Sequence, residues 1–134
     1  MVSFQAEKTH GARINHDIEE LWRRIVFSIC VSNTDDHLRN HGFLLTNDGW
    51  ILSPAYDINA IETGTGLKLN ISENDNSLDL DLAMDVANNF RIDLKNATQI
   101  KLDVIKSVSN WRMIAKKFGV SKNEQEIMTK AFYK

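Results

Sequence analysis

With 134 residues, 43% of them apolar, the chain has the size and composition of one domain with one ordinary core, and a second domain is not expected. Lys+Arg 16 against Asp+Glu 18 leaves a formal net charge of −2, so no global basic field exists to hold nucleic acid or an anionic membrane, and binding driven by bulk charge is excluded. The N-terminus lacks an apolar signal core, no apolar run approaches the roughly 18 residues of a spanning helix, and the lone Cys30 has no disulfide partner, which together point to the reducing cytoplasm.

Residues 1–16 have no clear period and read as a lead-in segment. From Asp17 the pattern becomes regular: Ile18, Leu21, Trp22, Ile25, Val26 and Ile29 form one apolar helical stripe, and Asp17 with Glu20 has capping-box spacing, which predicts a helix over 18–31. Six polar residues, Ser32 to His37, end it as a loop, because their side chains compete with the backbone for hydrogen bonds. Two short strands follow at 43–46 and 50–52, joined by Asn47-Asp48-Gly49, and Pro54 ends the second. Residues 55–59 read as irregular backbone. The alternation of Leu67, Leu69 and Ile71 with polar residues predicts a further strand over 67–71, after a loop containing Gly64 and Gly66.

The remainder reads as helical. Ser77 is placed to cap a helix over 79–90, with Asp79 and Asp81 where the macrodipole favours acids. Between 93 and 118 the apolar residues, including Leu94, Ile100, Val104, Val108, Ile114 and Phe118, keep the helical period, with 107–110 as the place for any break and Gly119 as the C-terminal stop. Ser121 and Glu124 form a capping box for a last short helix, expected to turn Ile127, Met128 and Phe132 inward. The fold class expected is α+β, mainly α: a hairpin and three or four packed helices.

The residues suited to chemistry lie in two segments. Asp35 and Asn40 are five apart in the polar loop, and Asp57 arrives just after the hairpin. Phosphoryl transfer needs such a set: one carboxylate to accept the substrate hydroxyl's proton, and an amide oxygen and a second carboxylate to hold Mg²⁺ on the phosphates. Singly, each of the three is as well explained as a turn or cap residue. His37 and His41, with Asn40 between them, also suit a nuclease-like metal site, but no third soft ligand follows. The three tryptophans read as packing residues, since no basic cluster accompanies them.

The two ordered motifs, Asn33-Thr34-Asp35-Asp36-His37-Leu38-Arg39-Asn40-His41-Gly42-Phe43 and Leu52-Ser53-Pro54-Ala55-Tyr56-Asp57-Ile58, resemble those of the HipA family of bacterial serine/threonine kinases, the toxins of toxin–antitoxin pairs. The resemblance implies a protein-kinase-like C-lobe. It makes Asp35 the catalytic base, Asn40 and Asp57 the Mg²⁺ ligands, and His37, Leu38, Arg39 and Tyr56 the lining of the ATP phosphate pocket. His37 stands where common kinases carry a catalytic-loop lysine, so charge neutralisation would fall on His37 or Arg39. The kinases of the family also have an N-lobe with a phosphate-covering loop and its lysine. Only 34 residues precede Asp35, and the one glycine-rich stretch, Gly64 to Leu69, lies after Asp57 and reads as a surface turn. The expectation is therefore a C-lobe portion, 1–134, that binds Mg²⁺ and ATP weakly, is inactive alone and pairs with a separate N-lobe. The rival expectation is a non-catalytic module that binds such a lobe or an antitoxin-like protein.

Overall fold

The first long helix, α1 (Ile14–Val31), buries the stripe that the sequence marks. Trp22 lies at its centre with no exposed surface, and its indole Nε1 donates to the carbonyl of Ala83 at 2.9 Å. The computed structural model describes residues 11–132, so residues 1–10 of the expected lead-in lie outside the described residues. Residues 11–16 do not lead in passively. The Ala12 amide donates to the Trp50 carbonyl at 2.8 Å, and α1 starts four residues earlier than its stripe suggests.

That earlier start changes the role of Asp17. It is not the cap: Arg13 holds the cap position with no side-chain hydrogen bond, and Asp17 lies within the first turn with no exposed surface. Its Oδ2 accepts the amide of Leu52 at 2.9 Å, and its Oδ1 faces His16 Nδ1 at 3.1 Å and Arg13 at 3.4 Å. The helix is thereby tied to the hairpin of β1 (Phe43–Thr46) and β2 (Gly49–Leu52), an antiparallel pair in which Phe43 faces Leu52 and Thr46 faces Gly49.

After the hairpin the chain runs without regular structure to residue 79. The strand expected at 67–71 is absent: Leu67 and Ile71 are buried as the alternation suggests, but their amides bond to the carbonyls of Asn76 and Asp75, both at 2.8 Å, closing a local loop instead of a ladder. Helix α2 (Leu80–Val86) is capped by Asp79, not Ser77, and passes into a 3₁₀ turn, Ala87–Phe90. Helix α3 (Leu94–Ser109) is capped by Asp93, and the chain breaks at Asn110 before α4 (Trp111–Lys117). Gly119, at φ 78°, ends α4, and Ser121 opens α5 (Lys122–Met128) with both bonds of a capping box.

One cluster joins Trp22, Val26, Ile29 and Cys30 of α1 to Leu80, Ala83 and Val86 of α2 and to Ala97, Ile100, Val104 and Val108 of α3. Burial pushes the Cys30 thiol up to about 11, which makes it an inert core residue. The last two helices sit outside this cluster. Ile114 and Phe118, which keep the helical period, and Ile127, expected inward, are 48%, 77% and 53% exposed, and α4 is held instead by Trp111 stacked on Phe132 at 4.3 Å. The architecture is mainly helical with one two-stranded antiparallel hairpin. No helix among the described residues is long and apolar enough to cross a membrane.

Candidate functional site

The end of α1 sets the polar loop. Ser32 takes the left-handed conformation, φ 52°, its amide bonds to Ile29 O at 3.3 Å, and the Asn33 amide bonds to Ser28 O at 2.9 Å, the two bonds of a Schellman turn. A left-handed residue that is not glycine costs about 1–2 kcal/mol. Here the conformation is held by what it reaches: Asn33 is buried, donates to Ser28 Oγ at 3.2 Å and accepts the Asn59 amide at 3.2 Å, while the Ser32 carbonyl accepts the Ile61 amide at 3.1 Å. The segment that follows Asp57 is thus strapped to the segment that precedes Asp35.

The two neighbouring aspartates then part. Asp36 turns inward and meets His41 Nε2 at 2.9 Å. Asp35 turns outward, half exposed, with His37 Nε2 at 3.2 Å and the ammonium of Lys68 against its Oδ1. Lys68 holds the Asp35 carboxyl below the usual aspartate range through its hydrogen bond and its charge, and His37 adds to the effect. The Lys68 ammonium also lies 3.2 Å from His37 Nε2. Gly64, four residues before Lys68, packs on Thr34, and a Cβ there would stand 2.4 Å from Thr34 Cγ2, well inside contact distance.

Asn40 ends the short 3₁₀ turn Leu38–Asn40 and is 7% exposed. Its Nδ2 donates to Asp57 Oδ2 at 3.4 Å, and Asp57 Oδ1 accepts from Asn59 Nδ2 at 3.2 Å. Asp57 itself is left-handed, φ 55°, a conformation that persists only where the surroundings enforce it. Those surroundings are visible. Arg24 donates to the Ser53 carbonyl at 2.6 Å, and the Ser53 amide bonds to Gly42 O at 2.9 Å. The Tyr56 hydroxyl donates to the Arg39 carbonyl, and Tyr56 lies over Gly42, where a Cβ would stand 3.2 Å from its oxygen.

The structure therefore pairs Asp35 with His37 on the loop after α1, and joins Asn40 and Arg39 of that loop to Asp57 and the Tyr56 hydroxyl of the segment after the hairpin. Leu38 faces elsewhere: 57% exposed, it lines an apolar groove of about 450 Å³ with Leu21, Ile25, Phe43, Leu67 and Phe90. Asn40 and Tyr56 line a separate cavity of about 20 Å³ with Arg24, Asn33 and His41. Arg39 is exposed, and its carbonyl is what Tyr56 engages. The nuclease-like alternative loses His41 to Asp36, and no group of three or more His, Cys, Asp or Glu among the described residues is arranged to hold a metal.

Three residues in this arrangement escape sequence reasoning. Lys68 is a lone lysine 33 positions beyond Asp35, and no spacing rule links them. Asn33 reads as one of six loop residues, although it carries the strap. Asp17 reads as a cap. Of these only Asp17 had a usable signal, since a carboxylate one position before a fully apolar stripe is placed to face the core.

Neither the curated proteins nor the solved structures searched contain a match to this sequence. A family model does match, that of the HipA-like C-terminal domain, over residues 3–131. That span is nearly the whole chain and takes in both segments of the loop-and-hairpin site, so the chain belongs to the HipA-like C-terminal domain family.

Proposed function

We propose that the chain supplies the base and the metal-binding half of a serine/threonine kinase site, which transfers the γ-phosphoryl of ATP to a protein hydroxyl when a nucleotide-covering lobe completes it. The observation that carries this reading is the Asn40–Asp57 pair. Two oxygen-bearing side chains from segments 17 residues apart are held within 3.4 Å, one buried and one locked in a left-handed conformation. A dedicated protein cage would need more donors. Mg²⁺ does not: it keeps several waters and takes one or two protein oxygens with the rest from substrate phosphates, so the pair fits it. Turning the Asn40 amide over would present its oxygen beside that of Asp57. Mg²⁺ bound there would neutralise charge on the ATP phosphates.

The chain's own residues do the rest. Asp35, ionised and outward, accepts the proton of the attacking hydroxyl while its oxygen bonds to the γ-phosphorus and ADP leaves with the broken P–O bond's electrons. Tyr56, through the Arg39 carbonyl, keeps the turn carrying Asp57 against the turn carrying Asn40. The complete kinase is expected in the cytoplasm, as the toxin of a toxin–antitoxin pair.

Without a nucleotide-covering lobe, affinity rests on the metal and should be millimolar, about −4 kcal/mol. The test is an NMR titration of the chain with ATP, with and without Mg²⁺, beside Asp57→Asn. Mg²⁺-dependent shifts at Asn40, Tyr56 and Asp57 that vanish in the variant are expected. A folded chain with no such shifts up to about ten times the millimolar dissociation constant would refute the reading.

A further inference from the structure

The residue left over once the loop is assigned is Lys68. Its ammonium touches the carboxylate that the kinase reading makes the base, and it lies 3.2 Å from His37 Nε2. His37 stands where the resemblance places a cation for the transferring phosphoryl group, yet it carries a charge only when protonated, whereas Lys68 brings a compact ammonium to the same carboxylate. An exposed ion pair adds little to stability, so stability alone gives the contact no purpose.

The segment around Lys68 is anchored by its backbone, and its side chain is held only at the ammonium. Gly64 is packed on Thr34, Leu67 is buried, and the Leu67 amide and carbonyl bond to the backbone and side chain of Asn76 at 2.8 and 2.6 Å. The Lys68 side chain itself is 53% exposed, on a flexible four-carbon stem. A fixed Cα beside the base, carrying a half-exposed ammonium on a flexible stem, lets that charge reach a phosphoryl group bound next to Asp35.

We propose that Lys68 is a catalytic residue of this site. It pairs with Asp35 in the free chain, and with Mg·ATP bound its ammonium moves onto a γ-phosphate oxygen. Asp35 is then released to take the hydroxyl proton. The lysine stays protonated throughout: the hydroxyl oxygen bonds to the γ-phosphorus, the bond to the bridging oxygen breaks, and ADP carries the electron pair away. The proposal rests on the kinase reading and adds to it a cation already in contact with the base, from outside the loop that carries His37 and Arg39.

The experiment is a parallel NMR titration of the 134-residue chain and its Lys68→Met and Lys68→Arg variants with Mg·ATP and Mg·ADP. Lys68→Met should weaken Mg·ATP by about tenfold and leave Mg·ADP unchanged, and Lys68→Arg should recover most of the loss. The Asp35 carboxyl resonance should move on adding Mg·ATP to the parent, as its partner leaves. Equal effects on ATP and ADP, or none, with shifts at Asn40 and Asp57 intact, would overturn the role of Lys68 and leave the kinase reading standing. Absence of Mg²⁺-dependent shifts at Asn40 and Asp57 in the parent would overturn both. Amide shifts of α3, remote from the site, report whether each variant is folded.

Discussion

Replacing Asp17 separates two roles that sequence alone confuses. As a helix cap, Asp17→Ala would cost about 1 kcal/mol and Asp17→Asn almost nothing, since Asn caps as well as Asp. As the buried anchor seen here, the side chain satisfies the Leu52 amide at 2.9 Å with no exposed surface. Removing it leaves a buried donor unpaired, a penalty of about 1–3 kcal/mol, and takes a charge-assisted bond with it. The half-exposed Arg13 at 3.4 Å adds little after solvent screening. Asp17→Ala should therefore cost about 3 kcal/mol, while Asp17→Asn keeps an acceptor for Leu52 and should cost about 1. For 134 residues the unfolding entropy is about 0.28 kcal/mol/K, so the alanine variant should melt about 10 °C lower. Thermal and urea unfolding at pH 7 measure both. A loss of 1 kcal/mol or less for the alanine variant, with none for asparagine, would refute the anchor.

The Asp35 carboxyl, held low chiefly by Lys68, should titrate below the usual aspartate range in the parent and move up toward it in Lys68→Met. Because the folded value is the depressed one, the stabilisation is present above the unfolded value and fades as pH falls through the folded one, so parent and variant should converge in acid. Side-chain carboxyl NMR reads the midpoint, and an unchanged midpoint would contradict the pairing. Gly64→Ala drives a Cβ to 2.4 Å from Thr34 Cγ2 and should cost about 1–3 kcal/mol while loosening Lys68 from Asp35. Its mark is the Asp35 midpoint rising together with the stability loss. Stability loss alone would mean that the two contacts are independent.

Local pattern carries far in this chain where one element decides its own fate. The stripe of α1, the hairpin, the Asn110 break and the Ser121 cap are all written in a few adjacent residues. Where burial depends on what lies opposite, pattern misleads: the period of Ile114, Phe118 and Ile127 marks an apolar face, but only tertiary packing decides whether anything covers it. The 67–71 stretch shows the same limit, since alternation fixes which side chains point inward and not whether a neighbouring strand exists. The candidate site divides likewise. Spacing within two segments picks out Asp35, Asn40 and Asp57 as candidates, whereas the contacts of Lys68 with Asp35 and of Asn33 with Asn59 reach across from one segment to another, which no linear spacing encodes.

The hairpin is closed at one end and open at the other, and the two ends tolerate change differently. The hairpin bonds nearest Asp57 lie at the closed end, at Gly42, Leu52 and Ser53, while Asn47 and Asp48 at the tip are exposed and bonded only within the turn. Extra residues at the tip add a loop-closure cost that grows only with the logarithm of length. The same insertion between Asn59 and Lys68 would pull apart the strap to Asn33 and the contact with Asp35. The tip is thus a port in the scaffold, where a fluorophore or affinity peptide can be grafted between the two motifs without moving either of them.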